Sequence, residues 1–72
     1  MNENELYITE RQSQILELLS RGYTYSNIAE KLNISYITVR AHIAYAKERI
    51  DAATTYELVA RYVEHKLNKP II

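Results

Sequence analysis

The side chains that could bind a charged ligand in this 72-residue chain are gathered in one stretch. Residues 21–49 contain five basic and two acidic side chains, a net charge of +3, whereas residues 1–20 carry −3 and residues 50–72 are balanced. Guanidinium and ammonium groups bind phosphates, and a polyanion responds to the local patch of charge rather than to the total. Although the net charge of the whole chain is zero, the stretch 21–49 is predicted to face the phosphates of a nucleic acid.

The sequence lacks the residue patterns of disulfides, metal sites and enzyme active sites. There is no cysteine, which excludes disulfides, thiolate zinc sites and cysteine nucleophiles. No carboxylates lie at a spacing that would complete a metal site around His42 or His65, so we predict no metal and no cofactor. Glycine-rich phosphate loops and sets of nucleophile and base are also missing, and so short a chain leaves little room for a substrate pocket. The chain is not expected to be an enzyme.

Composition predicts a single globular domain. Hydrophobic residues make up 47% of the chain, which has one glycine and one proline, so a core can form. The longest apolar run is far too short to cross a membrane, and the N-terminal residues lack the pattern of a secretory signal. We expect a cytoplasmic, nucleoid-associated protein with no membrane contact. It would have a flexible arm over residues 1–7, a domain over 8–67 and a tail over 68–72.

The elements that must position the basic stretch are predicted to be helices, because signals for helix ends recur along the chain. Thr9 and Gln12 fit a capping box, in which each side chain bonds the backbone of the other residue, and an apolar run at helical spacing follows. Gly22, the only glycine, suits the left-handed residue that comes directly after a helix. These signals predict a first helix of about 10–21.

The next two helices are predicted to form a helix-turn-helix pair. Thr24 suits the N-cap of a helix of about 25–32, and Asn33 ends it because asparagine tolerates the left-handed conformation. Ser35 then suits the N-cap of a third helix of about 36–50. A connection of about three residues is typical of helices that cross steeply, as in DNA-binding helix-turn-helix units.

The third and fourth helices each have a recognisable core side. At 100° per residue, the apolar residues of the third helix fall on one side: Val39, Ile43, Ala46 and Ile50. A fourth helix of about 55–67 begins at a second capping box, Thr54 to Glu57, and ends before Pro70. Its apolar surface is wider than a small core needs, so part of it is free for a second subunit or for the C-terminal tail. The predicted fold class is all-α.

Several motifs resemble the LuxR/GerE-type helix-turn-helix family. The resemblance covers roughly residues 8–63 and rests most on the segment from Ile28 to Ile43, which reads I-A-E-K-L-x-I-S-x-x-T-V-R-x-H-I. The basic residue, the histidine and the apolar residue after Thr-Val favour this family over other helix-turn-helix proteins. Two positions depart from its pattern: Asp51 stands where the family usually has glycine, and Thr54-Thr55 stands where it usually has Asn-Arg.

The resemblance implies a role for each matching position. The third helix would enter the major groove of DNA, where a helix fits and base edges can be read. Its base-reading positions would be Arg40, Ala41 and Ala44, with Ile37 and Tyr45 close by. Contacts to the DNA backbone would come from Thr24, Asn27, Thr38 and Lys47. The fourth helix would form the dimer contact through Tyr56, Val59 and Val63.

The character of the third helix refines this expectation. Arg40 lies on the outer side of the helical wheel, and its guanidinium can pair with a guanine edge through two hydrogen bonds or bind a phosphate. The other outward residues offer few hydrogen-bond donors. Small apolar groups can contact the methyl group of thymine, so sites that contain A·T pairs would suit this surface.

The sequence therefore supports two hypotheses. The first is a stand-alone bacterial or phage transcriptional regulator that binds a near-palindromic double-stranded DNA site as a homodimer. The alternative is a protein-interaction module that binds or heterodimerises with another transcriptional regulator. The zero net charge and the apolar outer side of the third helix favour the alternative modestly, whereas the local positive charge of residues 21–49 favours DNA.

Overall fold

Four helices and no strand make up the part of the chain that the computed structural model describes, residues 7–67. The helices are α1 (Glu10–Ser20), α2 (Tyr25–Leu32), α3 (Tyr36–Ile50) and α4 (Thr55–Leu67). The predicted all-α, four-helix fold class is confirmed. The predicted tail and all but one residue of the predicted N-terminal arm lie outside the described residues.

Side-chain hydroxyls begin the first three helices, as the sequence predicted. Thr9 and Gln12 form the complete capping box: the Thr9 N–H donates to Gln12 Oε1 at 3.0 Å, and the Gln12 N–H donates to Thr9 Oγ1 at 3.1 Å. Thr24 accepts from the Asn27 N–H at 3.1 Å, and Ser35 accepts from the Thr38 N–H at 3.0 Å. Each bond satisfies an N–H group that has no partner within its own helix.

The start of α4 differs from the predicted capping box. Thr54 Oγ1 accepts from the Glu57 N–H at 3.0 Å, as expected. The Glu57 carboxylate, however, accepts from the N–H of Ala53 at 2.9 Å instead of from that of Thr54. The side chain reaches one residue further back, so it satisfies a donor of the preceding loop rather than of the cap itself.

The ends of α1, α2 and α3 share one backbone arrangement. A left-handed residue follows each helix: Gly22 (φ 92°), Asn33 (φ 56°) and Asp51 (φ 61°). The next residue then donates its N–H to the carbonyl five positions earlier: Tyr23 to Leu18 at 3.1 Å, Ile34 to Ala29 at 3.0 Å, and Ala52 to Lys47 at 2.9 Å. These are Schellman motifs, and in all three the donor residue packs against the core. α1 ends at Ser20, one residue earlier than predicted, because Arg21 already has the dihedral angles of the turn.

The core is formed by one side of each helix, with α3 in contact with all three others. All four predicted core residues of α3 are buried, and they pack with residues of α1, α2 and α4. The buried hydrophobic residues are Ile15, Leu16, Leu18, Ile28, Ala29, Val39, Ile43, Ala46, Ile50 and Leu58. Because the buried side of α3 is packed on three helices, its opposite side projects from a rigid base.

Polar contacts hold α4 against α1 and α3. Glu17 of α1 accepts from the Tyr62 hydroxyl at 2.9 Å and from Lys66 Nζ at 2.7 Å. On the other side of α4, Arg61 Nη1 donates to the Ile50 carbonyl oxygen at 2.7 Å, which satisfies an acceptor at the end of α3. None of the four described helices has the length and apolarity that a membrane crossing requires.

Candidate nucleic-acid interface

The turn between α2 and α3 consists of Asn33, Ile34 and Ser35. The left-handed Asn33 reverses the chain, and Ile34 packs partly against the core. Ser35 then caps α3. Because each of these residues has a defined backbone or packing role, the start of α3 is fixed relative to α2.

The five predicted base-reading residues lie together on the side of α3 that faces away from the core. Ile37 is 77% exposed and Tyr45 is 61% exposed. Arg40 and Ala44 are also exposed, and Ala41 is half-buried. Together they form a surface at the spacing of an α-helix, with one guanidinium group and otherwise mainly hydrocarbon. We call these five residues the outer face of α3.

The four residues predicted to contact the DNA backbone are placed differently from one another. Thr24 and Asn27 are exposed at the start of α2, while Thr38 and Lys47 are half-buried on α3. The Thr38 hydroxyl lies 2.8 Å from that of Ser35, and either oxygen can be the donor. The two hydroxyls share one hydrogen bond, so whichever oxygen donates in it, the other hydroxyl keeps a hydrogen that it can donate to a phosphate.

The basic side chains of α2 and α3 are not neutralised by neighbouring carboxylates. The salt bridges found within residues 7–67 both involve Glu17, which pairs with Arg21 at 3.0 Å and with Lys66 at 2.7 Å. None of the basic residues of the helix-turn-helix takes part in them: Lys31, Arg40, Lys47 and Arg49. Arg40, Lys47 and Arg49 are consequently available to an external anion, whereas Lys31 lies over the ring of Tyr23, 5.9 Å from its centroid.

Two aromatic residues link the starts of α2 and α3. The rings of Tyr25 and Tyr36 lie 6.0 Å apart between centroids, with their planes tilted by 48°. This separation and tilt fall in the range of favourable aromatic contacts. Tyr25 is half-buried and Tyr36 is 47% exposed, so the pair fixes the two helix starts while it keeps part of its surface in solvent.

The three predicted dimer residues differ in their exposure. Tyr56 is 89% exposed, and Val63 is half-buried. Val59 packs partly against the core, so only part of its side chain is free for the predicted contact. Tyr56 and Val59 line a shallow apolar groove with Leu19 of α1 and Tyr25 of α2. The surface beside α4 thus consists of the exposed ring of Tyr56 and an apolar groove next to it.

A comparison with known protein families covers most of the described residues, including this surface. Residues 7–62 match the family model described as bacterial regulatory proteins, luxR family. The chain belongs to the luxR family. It is therefore a helix-turn-helix domain of a class of DNA-binding transcription regulators, and the resemblance found in the sequence is confirmed.

Relatives of this luxR-family domain include proteins named oxygen regulatory protein NreC. The relative from Staphylococcus haemolyticus is 37% identical over 60 residues, and that from Staphylococcus carnosus is 35% identical over 60 residues. Each alignment covers 83% of this chain and 28% of the relative. The chain thus spans little more than a quarter of the length of these relatives. No solved structure matches it significantly.

One departure from the luxR-family pattern has a structural explanation. The resemblance found in the sequence led us to expect glycine at the position of Asp51, and the φ of Asp51, 61°, lies in the left-handed region that glycine adopts without a steric penalty. Aspartate is among the few other residues that tolerate this conformation. The end of α3 therefore adopts a left-handed turn with a residue less favourable there than glycine.

Two contacts that position the site were not predicted from the sequence. Glu17 joins α1 to Tyr62 and Lys66, which lie 45 and 49 positions later in the chain. Arg61 reaches the end of α3, 11 positions earlier. No local motif marks such pairs, although the i, i+4 spacing of Tyr62 and Lys66 places both on one side of α4. Within residues 7–67, no group of histidine and carboxylate side chains is arranged to hold a metal ion.

Proposed function

We propose that this luxR-family domain binds specific DNA sequences by inserting α3 into the major groove. The observation that carries the proposal is the outer face of α3, which projects from a packed base and is accompanied by basic side chains that no neighbouring carboxylate neutralises. A single α-helix fits the major groove, where each base pair presents a distinct pattern of donors, acceptors and methyl groups. Such a domain would act in the cytoplasm, at the nucleoid.

Arg40 has the leading role in this proposal. It is exposed in the second turn of α3, and a guanidinium group can donate two hydrogen bonds to the O6 and N7 atoms of guanine. Lys47, Thr24, Asn27 and Thr38 would contact phosphates on either side and set the position of α3 in the groove. Phosphate contacts orient the protein, and base contacts give it sequence preference.

We further propose that two copies bind a near-palindromic site as a homodimer through α4. The exposed Tyr56 and the half-buried Val59 and Val63 supply the contact, beside the apolar groove. Two helix-turn-helix units on one face of DNA read half-sites about one helical turn, roughly 34 Å, apart. The second copy also doubles the number of phosphate contacts, which compensates for the modest charge of one domain.

The proposal is tested by selecting genomic DNA fragments with the purified protein at two salt concentrations. Arg40→Ala is compared with Arg49→Ala, because both variants remove one exposed arginine from α3 and only Arg40 lies on the outer face. We expect the wild type to recover one near-palindromic motif. Arg40→Ala should lose about ten-fold or more in affinity for that motif and relax its preference at one base pair of each half-site.

The control variant separates specific from general loss of binding. Arg49→Ala should leave the preferred motif unchanged, and any loss of affinity should be similar for all sequences, because Arg49 lies outside the outer face of α3 and a phosphate contact carries no sequence information. Recovery of no motif by the wild type would contradict the proposal. Equal recovery of the motif by the wild type and by Arg40→Ala would contradict the docking of α3 as described.

A second candidate function is association with another transcription regulator through α4. It is favoured by Tyr56, which at 89% is among the most exposed large hydrophobic residues of the described chain, and by the apolar groove next to it. A heterodimer with a longer regulator would use the same surface as the homodimer. Stable one-to-one capture of a regulator, without a DNA motif for the isolated chain, would support this candidate over the first.

A further inference from the structure

Ile37 is an unusual residue for the exposed side of a helix. It projects from the first turn of α3 with 77% of its surface exposed, so packing contributes little to its presence there. A β-branched side chain also loses rotamer freedom in a helix and is a weaker helix former than lysine, arginine or glutamate. Helix stability and solubility would both favour a charged residue at this position, so the isoleucine calls for a binding role.

The neighbours of Ile37 on the same side of α3 restrict what can bind it. Arg40 lies three positions later and Ala41 four positions later, which places both beside Ile37 on the helix surface. Arg40 has no carboxylate within salt-bridge distance among the described residues. The molecule that binds here must therefore present acceptor atoms to the positive charge of Arg40 and, about 5–6 Å away, an apolar group to the side chain of Ile37.

The edge of B-DNA in the major groove meets both requirements. Guanine offers two acceptors to a guanidinium group, and thymine offers a methyl group that makes apolar contacts. Lys47, which takes part in neither salt bridge of the described residues, adds a second positive charge on α3 and favours a polyanion over an apolar protein surface as the occupant. The small side chain of Ala41 allows the backbone of α3 to come close to the bases at this point.

We propose that Ile37 is a specificity-determining residue that reads the methyl group of a thymine in each half-site. This inference rests on the proposed docking of α3 in the major groove. Side chains at i and i+3 are about 5–6 Å apart, and successive base pairs are about 3.4 Å apart. The thymine contacted by Ile37 is thus expected within two base pairs of the guanine contacted by Arg40.

Deoxyuridine gives a direct test, because it differs from thymidine only by the absence of the C5 methyl group and keeps every base-pairing atom. In the selected site, each thymine is replaced by deoxyuridine in turn, and the affinity of the wild type is measured for each DNA. We expect a loss of about four-fold at one thymine per half-site, which is the effect of leaving one methyl group unburied. The other thymines serve as internal controls.

Three variants assign the effect to the side chain. Ile37→Ala should bind thymine and deoxyuridine equally at that position and keep its dependence on the guanine. Arg40→Ala should lose the guanine dependence and keep the preference for thymine, while Ile37→Val should keep both. Because Ile37 is mostly exposed, we expect Ile37→Ala to fold normally, and the circular dichroism spectra of the variants check this.

Each result that contradicts the inference has its own signature. If the wild type binds its site but no deoxyuridine replacement matters, or if Ile37→Ala keeps the deoxyuridine effect, the assignment to Ile37 is wrong and the docking of α3 stands. If the wild type binds no site, the proposed function fails and this inference fails with it. If Ile37→Ala leaves all DNA affinities unchanged but abolishes capture of a second regulator, the side chain belongs to a protein contact and the inference is overturned.

Discussion

At the scale of single residues, one carboxylate outside the proposed DNA-binding surface has the most partners. Glu17 accepts from Lys66 Nζ at 2.7 Å and from the Tyr62 hydroxyl at 2.9 Å through Oε1, and from Arg21 Nε at 3.0 Å through Oε2. These three donors stabilise the ionised form. The hydrogen bond from Lys66, followed by that from Tyr62, lowers the pKa of Glu17 from 4.5 to about 2.

The low pKa predicts how stability depends on pH. A carboxylate whose pKa is lower in the folded chain stabilises the fold at pH values above its unfolded pKa, and this contribution is lost as the pH falls toward the folded value. The wild type should therefore be more stable than Glu17→Gln at pH 7. The difference should shrink between about pH 4.5 and pH 2. Urea unfolding of both proteins across this range measures it.

A matched control is provided by Glu64→Gln, which removes an exposed carboxylate from α4. Glu64 takes part in neither salt bridge of the described residues. The stability of this variant relative to the wild type should change little with pH in the same range, because exposed charges contribute little. A constant difference between Glu17→Gln and the wild type from pH 7 to pH 2 would show that the contact acts through packing rather than through charge.

Single-residue roles could be predicted from the sequence where the partner is close in the chain. The caps at Thr9, Thr24 and Ser35 each bond a residue three positions away, so the local pattern contains both partners. Glu17 was not predicted because its partners on α4 become neighbours only when the helices pack. The roles of the outer face of α3 stay predictions, since they depend on the DNA.

At the scale of elements, the left-handed residues after α1, α2 and α3 determine where each helix stops. Gly22, Asn33 and Asp51 all have a positive φ, which carries a different steric cost for each of them. A side chain in the left-handed region costs roughly 1–2 kcal/mol in general, and less for asparagine and aspartate, which can bond locally. The carboxylate of Asp51 also lies at the negative end of the α3 dipole, which is unfavourable.

Substitutions at two of these ends should change stability in opposite directions. Gly22→Ala should lower the free energy of unfolding by about 1 kcal/mol through backbone strain. No atom lies within 4 Å of the added methyl group, so a clash contributes nothing. Asp51→Gly should raise the free energy of unfolding by about 0.5 kcal/mol, because relief of the backbone and removal of the charge outweigh the extra freedom of glycine in the unfolded chain. Chemical denaturation of both variants measures these changes.

Asn33→Gly is the control for the charge of Asp51, because Asn33 has the same backbone conformation and no charge. Asn33→Gly should raise the free energy of unfolding by less than Asp51→Gly does. The difference between these two increases should become smaller in high salt, which screens the charge of Asp51. An equal increase in the free energy of unfolding for both variants would mean that the charge of Asp51 at the end of the helix dipole makes no measurable contribution to stability. If Gly22→Ala left the free energy of unfolding unchanged, the left-handed conformation of the turn would not be the reason for glycine at this position.

The first and last residues of the helices could be predicted almost completely from the sequence, whereas the burial of their side chains could be predicted only in part. The ends of the four helices follow from residues within a few positions, such as Thr24 and Asn33 around α2. The core side of α3 follows from its periodicity, and all of its predicted members are buried. Which part of the wide apolar surface of α4 is covered could not be predicted, because only the packing of the helices decides it, and Val59 packs partly against the core.

At the scale of the whole molecule, α4 has two different sides. Its inner side is fixed by the fully buried Leu58 and by the bond from Arg61 to the end of α3. Its outer side exposes Tyr56 beside the groove that Leu19 and Tyr25 help to line. Because the inner contacts connect α4 to α3, a second copy bound to the outer side would hold the two α3 helices at a defined separation.

The proposed homodimer predicts that changes on α4 alter DNA binding without any contact to DNA. Tyr56→Ala should weaken self-association by about ten-fold or more, since a tyrosine at the centre of an interface commonly contributes about 2 kcal/mol. Glu64→Ala is the matched control, because it truncates another exposed side chain of the same helix outside the proposed contact. Sedimentation equilibrium of the two variants and the wild type measures the change.

Binding to DNA with one or two half-sites completes this test. Tyr56→Ala should bind a single half-site as well as the wild type does and lose much of the added affinity for the full site, because linked binding depends on the subunit contact. For the wild type, the slope of log affinity against log salt should be about twice as steep on the full site as on the half-site, since the number of phosphate contacts doubles. A variant that lost half-site affinity as well would point to a misfolded domain. If the wild type instead gave equal slopes on both DNAs, it would be binding DNA as a monomer. The outer side of α4 would then be free to bind another regulator.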